Sequence, residues 1–298
     1  MERESLLAIL IMLLGGALQQ LLALWPSRAS CEAPPAELER RTWIGLWIPV
    51  VPVLFVAAGL LGWALQESDP VRDPLDLGVL LAIWAPFGLV FVRAAARAAW
   101  ALASRPADCG VSTIGLIQPQ VVFSPFLAKQ LDDGVIRAAL AHERSHALHR
   151  DPLRIWIAQV VTDLQWPWSS PKRRFEAWLD ALELARDDEA RANGADGAEL
   201  AAAVLASVRF LSQLPPAESV RFKGSQRAHA RLIGDSRVLR HRVSRLLSPL
   251  PGLSRYGESG SGLLDRAGYL LIPLLAATVV LSLIYGERII HPLLALTL

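Results

Sequence analysis

Long apolar runs alternate with polar segments along the chain and predict its elements. Each of four runs is long enough, or nearly so, to cross a hydrocarbon core that requires about 20 residues. Pro49 and Pro52 are expected to kink the second run. Gln19 and Gln20 interrupt the first run, and we expect them to face another helix because an amide that faces lipid is poorly satisfied. The four runs lie at residues 5–25, 42–65, 77–92 and 267–286.

The segment between the third and fourth runs is polar enough to form a globular domain of about 160 residues. Its pattern predicts a short hairpin or a pair of edge strands, at residues 111–117 and 121–124, followed by helices. The predicted helices cover residues 131–149, 153–164, 172–191 and 199–214. We therefore expect a membrane region at residues 1–103, a globular domain at 104–262, and a fourth span with a short tail at 263–298.

Composition and charge support a membrane protein with mainly helical structure. The chain is 53% hydrophobic and 19% charged, which is unlike a soluble protein of this length. Arg28, Arg40 and Arg41 lie in the first loop, whereas the second loop contains only Arg72. The positive-inside rule then predicts a multi-pass protein of the inner membrane, with the first loop and residues 93–266 cytoplasmic and both termini extracytoplasmic.

The first predicted helix of the globular domain contains an H-E-x-x-H pattern formed by His142, Glu143 and His146. Residues four apart lie on one helical face, so the two imidazoles can bind one zinc ion. Glu143 could then act as the general base that activates water. The alternative is an exposed helix that happens to contain two histidines. Apolar neighbours such as Ala139 and Leu140 favour a packed helix, in which unpaired histidines would be costly.

A catalytic zinc usually requires a third protein ligand. Glu183 and Asp187 are four apart in the helix predicted at 172–191, and hence share one face. We expect Glu183 to bind the metal and Asp187 to accept a hydrogen bond from His142, which would fix the tautomer of that ligand. Glu176 and Asp180 lie on roughly the same stripe, so the alternative is a solvated acidic face.

The remaining charged residues are given roles outside the chemistry. His149 could reach a neighbouring site but is interpreted as a residue of the surface or one that supports a metal ligand, and Asp151 as a structural hydrogen-bond acceptor. Residues 221–245 contain eight basic residues against Asp235 alone, and are expected to lie against anionic headgroups. Aromatic residues do not alternate with these charges, so nucleic acid is not an expected partner.

Several segments together resemble the BlaR/MecR family of integral-membrane zinc metallopeptidases. Residues 142–151 read His-Glu-Arg-Ser-His-Ala-Leu-His-Arg-Asp, and the break at residues 166–171 reads Trp-Pro-Trp-Ser-Ser-Pro. Residues 183–188 read Glu-Leu-Ala-Arg-Asp-Asp, and the stretch at residues 115–125 before the metal helix is also similar. The resemblance covers most of the chain, including three apolar runs before the globular domain and one after it.

This resemblance implies a gluzincin-like α+β zinc protease domain, with zinc held by His142, His146 and Glu183. It also implies site-specific proteolysis in signal transduction, typically the loss of a transcriptional repressor, which is an antirepressor function. The chain departs from the family in two respects. Arg186 stands where relatives often have cysteine, which is not expected to affect the metal. The beta-lactam sensor domain that follows the fourth span in the best-known members is absent from this chain.

Two other interpretations remain open at this point. One is an HtpX-type protease for the quality control of membrane proteins, and the other is a non-catalytic membrane receptor or scaffold. The expected partners are a lipid bilayer, a protein or peptide substrate, and, as an open alternative, a second copy of the chain. A substrate peptide could lie along the edge at residues 114–122. His229 or a nearby arginine is the candidate for stabilising the oxyanion.

Overall fold

The computed structural model describes residues 3–24, 33–66, 77–103, 111–123, 129–212 and 236–249, with a few positions between 274 and 285. These residues are mostly helical. The helices are α1 (Arg3–Leu24), α2 (Pro35–Trp47), α3 (Val51–Gln66), α4 (Leu77–Ala103), α5 (Asp133–Leu148), α6 (Asp151–Asp163), α7 (Ser169–Ala192), α8 (Gly197–Ser212) and α9 (Ser236–Leu247). Strands β1 (Val111–Ile114) and β2 (Gln120–Phe123) form an antiparallel hairpin in which Ser112 lies opposite Val122.

Local backbone signals set several of these boundaries. Arg150 adopts a left-handed conformation, with φ of 53°, between α5 and α6, and Pro152 occupies the first turn of α6. Gly194 has φ of 97° and directly follows the end of α7, where a residue without a Cβ avoids the steric cost of this conformation. Gly115 has φ of 93° after β1, and a Cβ there would approach the Gln118 carbonyl to 2.6 Å.

Three buried apolar clusters surround the two central helices, α5 and α7. The first joins α2 and α6 to α7 through Leu46, Ala158, Phe175, Trp178, Leu179 and Leu182. The second joins α5, α7, α8 and α9 through Ala138, Ala190, Leu200, Ala201 and Leu246. The third packs the hairpin against α5 and α8 through Val111, Ala139 and Ala203. As a result, α5 and α7 are held side by side, and most neighbouring elements pack on them.

The predicted four-span membrane architecture is wrong, and so is the predicted multi-pass location in the inner membrane. In the part of the chain that the structure describes, no helix combines the length and the apolar character that crossing a membrane requires. The run at residues 42–65 is divided by a turn in which the Val50 amide donates to the Trp47 carbonyl. The two helices on either side have only 13 and 16 residues. The run at residues 267–286 lies largely outside the described residues.

The third run is also different from the prediction. Residues 77–92 form the first part of α4, which continues for 27 residues in total and includes Arg93 and Arg97. Both guanidinium groups pair with the buried carboxylate of Asp163 at the end of α6, at 3.3 Å and 2.8 Å. The predicted orientation, the extracytoplasmic termini and the expected contact with a lipid bilayer all depended on the four spans.

Two polar residues of α1 contact the turn between α6 and α7. Gln19 donates a hydrogen bond of 3.0 Å to the Leu164 carbonyl, and Trp168 donates one to the side chain of Gln20. The glutamines were predicted to face another helix, and the groups they contact lie in the turn between two helices. The predicted domain limits at residues 1–103, 104–262 and 263–298 stay predictions.

Candidate metal centre

Two histidines of α5 and one glutamate of α7 form a buried group that could hold a metal ion. His142, His146 and Glu183 each have an exposed fraction of 7% or less, and their ligand atoms all lie within 4.8 Å of one another. The two histidine Nε2 atoms are 3.1 Å apart. The Glu183 carboxylate oxygens lie 3.5 Å from Nε2 of His142 and 3.7 Å from Nε2 of His146.

The second nitrogen of each imidazole faces an aspartate. Nδ1 of His142 is 2.9 Å from Oδ1 of Asp187, and Nδ1 of His146 is 2.8 Å from Oδ2 of Asp151. With the ring proton on Nδ1, His146 donates to Asp151, whereas His142 lies against Asp187 without an aligned hydrogen bond; both Nε2 atoms would then present lone pairs to a metal ion. Two Nε2 atoms 3.1 Å apart require positive charge between them, either a proton carried by one of them or a metal ion bound to both. The arrangement of the imidazoles therefore fits a shared cation.

The observed separations also match the geometry of a small metal ion. Ligands at about 2.0–2.1 Å from a tetrahedral ion are about 3.3 Å from one another. The two Nε2 atoms are 3.1 Å apart; Nε2 of His142 lies 3.5 Å from Oε2 of Glu183, and Nε2 of His146 lies 3.7 Å from Oε1 of the same carboxylate. Only small adjustments of the side chains would bring all three atoms to bonding distance.

The buried guanidinium of Arg242, on α9, is a further part of this centre. Its Nη1 lies 2.8 Å from Oε2 of Glu183, and its Nε and Nη2 donate to the two oxygens of Asp187 at 2.6 Å and 2.8 Å. Burial would raise the pKa of Glu183, but the charge of Arg242 and the hydrogen bond with His142 hold it well below its ordinary value. The Glu183 carboxylate is therefore ionised and available as a ligand.

The charges around the three ligands leave an excess of negative charge. Four buried carboxylates face two buried guanidinium groups and the partly exposed one of Arg154, so with neutral imidazoles one negative charge is left for a bound cation to offset. Burial would lower the pKa of His142, yet the carboxylates of Asp187 and Glu183, as acceptors beside the ring, raise it to about 10, which also reflects the attraction for positive charge. The carboxylates belong to Glu143, Asp151, Glu183 and Asp187, and the guanidinium groups to Arg186 and Arg242.

Glu143 follows His142 directly and is also buried, with an exposed fraction of 4%. The hydroxyl of Thr113 on β1 lies 2.7 Å from its Oε2 and 2.8 Å from its backbone carbonyl oxygen. A single hydroxyl proton can be donated to only one of the two at a time. The hairpin therefore orients the Glu143 carboxylate through a hydroxyl donor.

A cavity of about 280 Å³ reaches the centre from the side of α7 and α9. Leu184 and Val238 give it an apolar wall, and Glu183 and Arg242 connect it to the ligand group. Its other lining residues are Asp180, Arg237 and His241. The cavity offers space for a small group next to the Glu183 carboxylate.

The structure brings the predicted ligands His142, His146 and Glu183 together and places Asp187 against His142. His149 lies away from them, where its exposed ring is 3.0 Å from the Glu189 carboxylate. The proposed oxyanion residue His229, like residues 221–235 of the basic segment, lies outside the described residues.

Four residues of the centre were missed or given another role by the sequence analysis: Thr113, Asp151, Arg186 and Arg242. Arg186 follows Glu183 by three positions and so shares its helical face, a spacing that could have revealed it. Arg242 was assigned to a surface strip, but only 3% of it is exposed. It is separated from Asp187 by 55 residues, and no local pattern connects the two.

Comparisons with models of protein families, with curated proteins and with solved structures gave no match to this chain. The resemblance to the BlaR/MecR family therefore stays a prediction, and the case for a function depends on the centre itself.

Proposed function

We propose that this protein is a zinc-dependent endopeptidase, with His142, His146 and Glu183 as metal ligands and Glu143 as the general base. One observation carries the proposal. Three buried residues form a group of metal ligands, and Glu143, which directly follows the first of them, has a buried carboxylate that is not itself a ligand.

The donor set supports zinc as the metal. Calcium and magnesium prefer sites made entirely of oxygen, whereas two imidazoles and one carboxylate suit zinc. Three protein ligands leave a fourth position open, which is typical of catalytic rather than structural zinc sites. The ion would supply Lewis-acid chemistry, namely the activation of water and the polarisation of a carbonyl group.

The protein's own residues would carry the proton transfer. Glu143 would accept a proton from the attacking water and deliver it to the departing amine of the cleaved bond. Thr113 would hold the Glu143 carboxylate in one orientation, from 2.7 Å away. Nη2 of Arg242 lies 3.4 Å from Nε2 of His142, so it would place positive charge where an oxyanion develops.

The proposed substrate is a regulatory protein, such as a transcriptional repressor, whose cleavage would transmit a signal. This part of the proposal is supported by the sequence resemblance alone. An extended peptide could add main-chain hydrogen bonds beside the β1–β2 hairpin, next to which Glu143 lies.

The test compares the wild-type protein with the variant Glu143→Gln. Glutamine keeps the size of the side chain and can still accept the Thr113 hydrogen bond, but it cannot take up the proton. We expect cleavage to fall by about 10²–10⁴-fold, while the metal content stays at one ion per chain. Proteomes of cells that contain either form should differ in a fragment of one regulatory protein.

Other outcomes would contradict the proposal. Equal cleavage by both forms would remove Glu143 as the base, and a purified protein without a divalent ion would remove the metal site. Fragments of many damaged membrane proteins would favour a quality-control protease. A bound ion without any cleavage by the wild type would favour a non-catalytic receptor or scaffold.

A further inference from the structure

Asp151 is fully buried beside the second metal-site histidine, and a buried arginine holds it. Its exposed fraction is 0%, and its Oδ2 lies 2.8 Å from Nδ1 of His146. Arg186 donates to both oxygens of this carboxylate, from Nε at 2.5 Å and from Nη2 at 3.0 Å. Such a bidentate contact fixes the plane of the carboxylate as well as its position.

The local backbone explains how these three side chains meet. The left-handed conformation of Arg150 turns the chain sharply after α5, so that Asp151 at the start of α6 returns to His146, five residues earlier. Arg186 lies one turn beyond Glu183 on α7. Three helices therefore converge on this ion pair, next to one ligand of the metal centre.

We propose that Asp151 and Arg186 are positioning residues that fix His146 as a metal ligand. Asp151 accepts the Nδ1 proton and thereby directs the Nε2 lone pair towards His142 and Glu183. Arg186 prevents the carboxylate from rotating away. A carboxylate in this role also makes the imidazole a stronger donor to a metal. This inference rests on the proposed metal site.

The alternative is that the ion pair only joins α6 to α7. Buried ion pairs contribute little net stability, because desolvation cancels much of the attraction, and an apolar pair of similar volume is often equally stable. Replacing both Asp151 and Arg186 by apolar residues therefore distinguishes the positioning of His146 from a purely structural link between α6 and α7. Arg154 also contacts Asp151. It is paired with Glu39 as well, so it keeps a partner when Asp151 and Arg186 are both replaced.

The experiment uses the full-length protein and measures the dissociation constant for Zn²⁺ and the absorption spectrum with Co²⁺. In the double variant Asp151→Leu, Arg186→Met, we expect the metal-free protein to stay folded with a modestly lower melting temperature, because Nδ1 of His146 loses its acceptor, while the dissociation constant rises by about 10–100-fold. The near-isosteric variant Asp151→Asn provides a second measurement, with a smaller rise in the dissociation constant and a shifted Co²⁺ spectrum.

A matched control lies on the same helix. Asp163 ends α6, about 18 Å from Asp151, and it is likewise buried and paired with two arginines, Arg93 and Arg97. Asp163→Asn should lower the melting temperature and leave the dissociation constant within twofold. Equal affinities in the wild type and both Asp151 variants, or an equal loss in the Asp163 variant, would overturn the inference. A wild type that binds no divalent ion would overturn the proposed function as well.

Discussion

Thr113 connects the β1–β2 hairpin to the carboxylate proposed as the general base. The substitution Thr113→Val keeps the shape of the side chain and removes the hydroxyl donor 2.7 Å from Oε2 of Glu143. We expect kcat/KM to fall by about 10–100-fold, as for other residues that orient catalytic groups, because Glu143 then samples unproductive orientations. Zinc affinity should not change, since the ligands keep their contacts. Steady-state assays and metal titration measure the two quantities.

The neighbouring residue provides the control for this prediction. Side chains of a strand alternate between its faces, so Ser112 points away from the face that Thr113 shares with the buried Val111. Ser112→Ala should leave kcat/KM nearly unchanged. An equal loss of activity in both variants would mean that the hairpin acts through its general stability and not through the Thr113 hydroxyl.

At the scale of elements, α9 is attached to α7 mainly by charge. Arg242 pairs with Glu183 and Asp187, and Arg245 pairs with Asp188 at 2.5 Å. Arg191 of α7 donates in return to the carbonyls of Arg245 and Ser248 at the end of α9, at 3.3 Å and 2.7 Å. A helix that the sequence analysis placed against lipid headgroups thus completes the surroundings of the metal ligands.

The buried arginine of α9 should therefore matter far more for stability than an exposed one. Arg242→Met leaves two buried carboxylates without their cation, and we expect it to lower the free energy of unfolding by about 3–5 kcal/mol. Arg240 is exposed on the same helix, and Arg240→Ala should change that energy by no more than about 0.5 kcal/mol. Urea denaturation of the metal-free proteins measures both. Similar midpoints for the two variants would show that the buried ion pairs of α9 are not needed for folding.

The positions of the helices were largely predictable, whereas their long-range contacts were not. The helix predicted at 131–149 is observed at Asp133–Leu148, and the one predicted at 172–191 at Ser169–Ala192. Proline, glycine and apolar periodicity act within a few residues, so they mark such boundaries. The same local signals gave Glu183 and Asp187 their shared face. They could not show that Arg242 or Thr113 reaches the same point from elements distant in sequence, because those contacts depend on the packing of whole helices.

The four apolar runs gave a wrong prediction of membrane spans for a related reason. Length and hydropathy alone do not show whether an apolar run forms one helix or is divided by a turn. In the run at 42–65, the turn around Pro49 separates two shorter helices, and Leu46 before that turn is fully buried against Trp178 of α7. The contacts made by Gln19 and Arg97 are likewise with protein groups. A count of apolar residues cannot predict these contacts.

At the scale of the whole molecule, the metal centre joins four helices. The ligands come from α5 and α7, Asp151 connects α6 to them, and Arg242 connects α9. An ion bound only by the folded state stabilises all of these contacts together, by about 2.7 kcal/mol when its free concentration is 100 times the dissociation constant.

Removal of the ion with a chelator should therefore lower the melting temperature of the full chain by about 5 °C, and added zinc should restore it. Calorimetry with and without chelator measures this shift. In Glu183→Gln, which lacks the anionic ligand, the chelator should have little effect. A wild type whose melting temperature is the same with zinc and with chelator would mean that these helices are held together without any ion.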